Sequence, residues 1–116
     1  MVYWQSHWYL FYSANSFLAD RAGHSPYATG YALCAGKAGP CNRLISGPLM
    51  ASTARESGPG GAAAVIDANG NLRLAYASYW PGEYRSNTSI PQPRRMHIAT
   101  VIRYANNTLA VTAGRP

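Results

Sequence analysis

Apolar and polar residues alternate in short bursts along this chain, and the bursts predict strands rather than helices. Residues 2–4, Val-Tyr-Trp, and residues 8–13 flank Gln5-Ser6 in the pattern of a hairpin. Within the second arm, Trp8-Tyr9-Leu10-Phe11-Tyr12 is an unbroken aromatic run, which suits a strand buried on both faces. A loop over 14–25 leads to a third strand, 27–34, carrying Tyr27, Ala28 and Tyr31. Gly36 to Pro40 then turns into a short fourth strand over 42–45. The second half repeats this plan. A long loop ends in Glu56-Ser57-Gly58-Pro59-Gly60-Gly61, and strands over 62–66 and 72–76 are joined by Asp67-Ala68-Asn69-Gly70, a turn whose Asn-Gly pair tolerates positive φ. A polar, Pro-rich stretch over 77–93 precedes the strand 95–104. There Met96, Ile98 and Ile102 fall on one face and His97, Ala99 and Val101 on the other. Asn106-Asn107 turns and 109–111 closes the series. A single helical turn over 51–56 is the most helix the pattern allows.

The fold class that follows is all-β, with two four-stranded antiparallel units: 1–46, a long loop over 47–60, and 61–112. Four antiparallel strands per unit is the plan of a propeller blade, and a small β-sandwich of the same eight strands is the alternative. Propellers close with about 4–8 blades. Two blades leave stacking faces bare, so the chain reads as part of a domain and is expected to self-associate through those faces.

Composition narrows the class. Of 116 residues, 47% are hydrophobic and only 12% charged, with nine Tyr, three Trp and two Phe, so a core can be buried. The formal net charge is +6, carried by nine Arg and Lys37 against Asp20, Glu56, Asp67 and Glu83. The Arg residues are scattered apart from the pair Arg94-Arg95, which counts against nucleic-acid binding. No window approaches the ~18 apolar residues of a membrane span, and the N-terminal residues lack the pattern of a signal peptide. Cys34 and Cys41 flank a turn sequence. They are either a disulfide, which would imply an oxidising compartment, or two buried thiols; zinc lacks the ligand spacing it needs.

Little in the chain has the form of a catalytic motif. Asp67 belongs to a turn, where Asp serves the backbone, and Asp20 and Glu83 read as solvated loop residues. Glu56, beside the Gly-rich run, is the acid with most claim to a site. His7, His24 and His97 show no ligand spacing and read as structural or surface residues. The Gly-Pro-Gly-Gly run lacks the Lys-Ser/Thr of a phosphate loop; it reads as a tight segment that lets backbone approach something closely. The aromatic residues suit sugar stacking, although the core claims most of them.

Taken in order, Trp8-Tyr9-Leu10-Phe11-Tyr12-Ser13-Ala14-Asn15, Tyr27-Ala28-Thr29-Gly30-Tyr31-Ala32, Gly39-Pro40-Cys41, Gly58-Pro59-Gly60-Gly61, Asp67-Ala68-Asn69-Gly70 and Arg94-Arg95-Met96-His97-Ile98 resemble glycoside hydrolase family 43. The match covers the C-terminal portion of that family's catalytic domain. The resemblance implies a five-bladed propeller that acts on arabinan, xylan or related polysaccharides, outside the cell or in the periplasm. It implies an inverting mechanism with an Asp base, a second Asp and a Glu acid, two carboxyls standing ~6.5–9.5 Å apart around a water. None of the three carries over, because their positions lie upstream of Met1; this chain alone is expected to be inactive. The family often has His where this chain has Gly61 and Ala77. Calcium occurs in the family, but no residue here supports a site for it, so no cofactor is expected. By matching position, Asn15, Gly60 and Gly61 belong to substrate-facing loops. Arg94 is the candidate sugar contact, since a guanidinium donates paired hydrogen bonds to vicinal hydroxyls. The rival reading is a non-catalytic carbohydrate-binding or scaffold module.

Overall fold

In a computed structural model of the chain, residues 1–20, 23–80 and 93–112 are described; Glu83 and most of the Pro-rich loop lie outside them. Eight strands follow in order: β1 Val2–Trp4, β2 His7–Ala14, β3 Ala28–Cys34, β4 Cys41–Asn42, β5 Ser57–Ile66, β6 Leu72–Tyr79, β7 Arg95–Arg103 and β8 Leu109–Val111. They form two antiparallel four-stranded sheets, β1-β2-β3-β4 and β5-β6-β7-β8. Each sheet is a simple meander, and no strand crosses from one to the other. That connectivity is the plan of two successive blades rather than of a Greek-key sandwich, which interleaves its strands.

Tight turns set the registers. Gln5 and Ser6 both take positive φ, 48° and 65°, the two-residue geometry whose twist matches a hairpin. They place Trp4 opposite His7. At the β5–β6 turn, Asp67 Oδ1 accepts from the backbone N–H groups of Asn69 and Asn71 at 3.0 and 2.9 Å, and Gly70 takes φ 80°. The Arg73 guanidinium donates to Asp67 Oδ2 at 2.9 Å. This bond, with the backbone donors, holds the Asp67 carboxyl down at about 2. A depressed folded-state value contributes stability above the ordinary carboxylate range, lost as pH falls through the folded value. Stability should therefore decline between about pH 4 and pH 2. In Asp67→Asn that part of the acid dependence should vanish, as an unfolding midpoint measured against pH would show.

The sheets stack through one face each. Trp4, Tyr9 and Tyr31 of the first meet Leu72, Leu74, Val101 and Leu109 of the second in one buried cluster. The aromatic polar tips find partners across the interface. Trp4 Nε1 donates to Gly70 O at 2.9 Å, and Tyr9 Oη donates to Asn107 O at 3.3 Å. Tyr31 Oη accepts from the Leu109 backbone N–H at 2.8 Å. Buried Tyr and Trp need such partners, and these fix the stacking register.

Both outer faces carry exposed apolar residues. Period-two alternation turns Tyr3, Trp8, Leu10 and Tyr12 away from the cluster, and Tyr3 is 52% exposed. The aromatic run of β2 predicts burial on both faces, but only Tyr9 is fully buried; no second layer among the described residues covers its other side. On β7 the alternation is as expected. His97, Ala99 and Val101 face the core, while Met96 is 71% and Ile98 53% exposed. A sandwich would place polar residues on such faces.

The largest departure from the sequence pattern is β5. It begins at Ser57, not at residue 62, so Gly58-Pro59-Gly60-Gly61 lies in the strand. Its pairing with β6 shifts register between Ser57 and Gly60 and again between Gly60 and Ala63. β6 runs on to Tyr79, and β4 occupies only Cys41–Asn42 instead of 42–45. Residues 51–56 contain no helical turn.

Directly paired Cys34 and Cys41 form a disulfide across the β3–β4 turn. Closing so short a loop is worth about 2 kcal/mol by its effect on the unfolded chain. Reduction should lower the unfolding free energy by about that much, readable as a shift in urea midpoint with and without dithiothreitol.

Candidate functional site

The four tight turns lie at one end of the sheets. β2, β4 and β6 end, and β3, β5 and β7 begin, at the other. The four residues singled out for substrate contact sit at that second end. Asn15 closes β2 at φ 68°, and its amide donates to Pro26 O at 3.2 Å, drawing the loop back onto β3. Gly61, at φ 66°, donates its N–H to Ser13 Oγ at 2.8 Å, which ties the two sheets together. Gly60 receives the ring of Tyr27 so closely that a Cβ there would lie 2.3 Å from it.

Arg94 reaches the same place from the start of β7. Its guanidinium lies over the rings of Tyr27 and Tyr79, 5.1 and 4.8 Å from their centroids. Nη2 donates to Gly58 O at 2.7 Å and also to Ala77 O. Arg94 therefore clasps β5 to β6 between two aromatic rings. Its Nη1 is buried and has no partner among the described residues.

Serine side chains lock this end. Ser25 N donates to Ser57 Oγ at 2.8 Å, Ser52 Oγ donates to Ser25 O at 2.7 Å, and Gly58 N donates to Ser52 Oγ at 2.8 Å. Thr29 Oγ1 donates to Pro59 O at 3.1 Å. Two loops and two sheets thus share one network, which holds the Gly-Pro-Gly-Gly segment in place.

A second group lies on the opposite face of β6, where alternation puts Tyr76 and Ser78. Glu56 extends over it. Its carboxylate accepts from Tyr76 Oη at 3.0 Å and from Ser78 Oγ at 3.1 Å. His97 stacks on Tyr76 with 5.4 Å between centroids, and Trp80 meets His97 edge-on at 6.4 Å. His97 is buried and its Nδ1 has no partner among the described residues. Glu56, Tyr76, Trp80 and His97, with residues 49–51 and 53–55, line an open groove of about 1130 Å³. The sequence marks Glu56 as the acid with most claim to a site but assigns nothing to His97 and nothing to Tyr76 as a partner. The signal that could have found them is that Tyr76, Ser78 and His97 share one face of two adjacent strands.

Glu56 and Asp67 have separate partners. Glu56 is held by Tyr76 and Ser78 on one face of β6, whereas Asp67 is held by its own turn and by Arg73, which alternation turns to the other face. Among the described residues no group of three or more His, Cys, Asp or Glu gathers to hold a metal ion. No helix among them is long and apolar enough to cross a membrane.

Fold and site together define two stacked, blade-like β-meanders with a loop-rich end and two faces that carry exposed apolar residues. The chain superposes on a crystal structure of an endo-1,4-β-xylanase from Bacteroides thetaiotaomicron with a TM-score of 0.69 and 21% identity, over 94% of its own length. It spans about a third, 34%, of that protein. No known family description and no curated protein matches it. At that identity the likeness is one of fold.

Proposed function

We propose that the chain is the last two blades of a five-bladed glycoside hydrolase resembling family 43, acting by inversion on xylan- or arabinan-type polysaccharide. One observation supports this above the rest. Two meanders stacked core to core, with apolar outer faces, overlie about a third of a xylanase. Such faces are what further blades would cover. The catalytic carboxylates then belong to upstream blades, and Asn15, Gly60, Gly61 and Arg94 contribute the substrate-facing end. A Cys34–Cys41 disulfide fits an oxidising, extracytoplasmic compartment.

The 116-residue chain alone should show no turnover of aryl xylosides, aryl arabinosides, xylan or arabinan. Turnover abolished by Glu56→Gln would refute the assignment of catalysis to missing blades. The commitment of Glu56 to Tyr76 and Ser78, and of Asp67 to its turn and Arg73, also favours a second reading, a non-catalytic carbohydrate-binding module. Retention on insoluble xylan or arabinan by a protein that is complete at this length would support that reading over the first.

A further inference from the structure

We propose that the groove lined by Glu56, Tyr76, Trp80 and His97 is a carbohydrate-binding site in its own right, on the face of β6 opposite the Arg94 clasp, and that it takes one neutral sugar unit. Only the choice of probe rests on the polysaccharide reading above.

Spare hydrogen-bonding capacity and balanced charge point to such a ligand. A carboxylate offers about four acceptor positions. Glu56 meets two hydroxyl donors, Tyr76 Oη and Ser78 Oγ, and is itself only half-buried at the groove wall. It has acceptor capacity to spare. His97, 7% exposed, stands at the same wall with Nδ1 unpartnered among the described residues. Buried polar atoms are paired in roughly nine cases of ten, so this one calls for a partner. A sugar hydroxyl both donates and accepts. One such hydroxyl can donate to Glu56 beside His97. Trp80, half-buried beside His97, supplies the aromatic surface on which a sugar ring's C–H face rests.

Charge selects against the alternatives. An anion would meet Glu56. A cation would meet Arg55 at the groove. The groove's other guanidinium, Arg73, is already committed to Asp67 and Thr100. A neutral polyol carries none of these penalties.

The test is an NMR titration of the intact chain with xylotriose and with arabinotriose, up to about 10 mM, ten times a Kd of about 1 mM. The expected result is a saturable shift of the His97 ring nitrogens and the Trp80 indole N–H. Binding should weaken at least about tenfold, one decade of affinity, in Glu56→Gln and in Trp80→Ala. Glu56→Gln keeps an oxygen for Tyr76 and Ser78, so its unfolding midpoint should stay close to the parent's. Unchanged affinity in both variants would overturn the proposal, as would an absence of shifts, or choline binding in place of the sugars. Shifts confined to the Gly60 and Gly61 amides would overturn the groove and leave the polysaccharide reading standing. A failure of the hydrolase assignment would leave the groove's titration unaffected.

Discussion

Replacing Gly58 with alanine should cost about 2–5 kcal/mol. Two independent penalties meet there. Gly58 sits at φ 65°, where an L side chain pays about 1–2 kcal/mol. The new Cβ would also lie 2.5 Å from Ser25 Oγ and 2.6 Å from Ser25 Cβ. Ser25 has nowhere to go: its N–H, C=O and hydroxyl are all engaged, with Ser57, Ser52 and the carbonyls of Ser16 and Phe17. Overpacking a site that cannot yield costs about 1–3 kcal/mol more. Gly36→Ala is the control, since a methyl on Gly36 would meet nothing within 4 Å and the residue has no positive φ. It should shift stability by no more than about 0.5 kcal/mol. Urea unfolding of both variants decides the matter. Equal midpoints would mean that the serine network does not hold the glycine segment as described.

The second large effect concerns association. The outer face of β7 presents Met96, Ile98 and Ile102, with Val65 of β5 also exposed, and the other sheet presents Tyr3. Faces of this kind in a soluble chain are interaction surfaces or aggregation liabilities. The chain should sediment as concentration-dependent oligomers. The double variant Met96→Lys, Ile98→Lys should remain monomeric at roughly tenfold higher concentration, because two desolvated charges oppose stacking. Its unfolding midpoint should move little, since neither side chain enters the core. A parent chain that stays monomeric at every concentration would contradict the bare-blade account.

Much of this architecture is legible in the residues. Alternation along 95–104 assigns the faces of β7, with His97, Ala99 and Val101 sharing the core side. The Asp67-Ala68-Asn69-Gly70 turn puts Asp67 in backbone service, and it bonds as such turns do. The start of β5 is not legible. Gly and Pro weaken strand propensity, so Gly58-Pro59-Gly60-Gly61 reads as loop. The strand accepts them because Ser25 and the Tyr27 ring lie where side chains would be. Those neighbours come from more than thirty residues away, and no local pattern contains them. The aromatic run of β2 misleads for a related reason: its residues describe a strand covered on both sides, and the described residues supply one side only. Arg94 stands out as a sugar contact, but its rings, Tyr27 and Tyr79, become visible only when the sheets are assembled. The Glu56 groove likewise joins a loop to two strands, 20 to 41 positions along the chain.

The most direct test of the central claim is the reading frame upstream of the Met1 codon. The account predicts about three more four-strand units of ~40–50 residues each, carrying two Asp-bearing loops and a Glu close before Met1. The joined protein should then hydrolyse xylan or arabinan with inversion. An in-frame stop codon directly upstream, with this chain expressed and folded at its present length, would contradict the account.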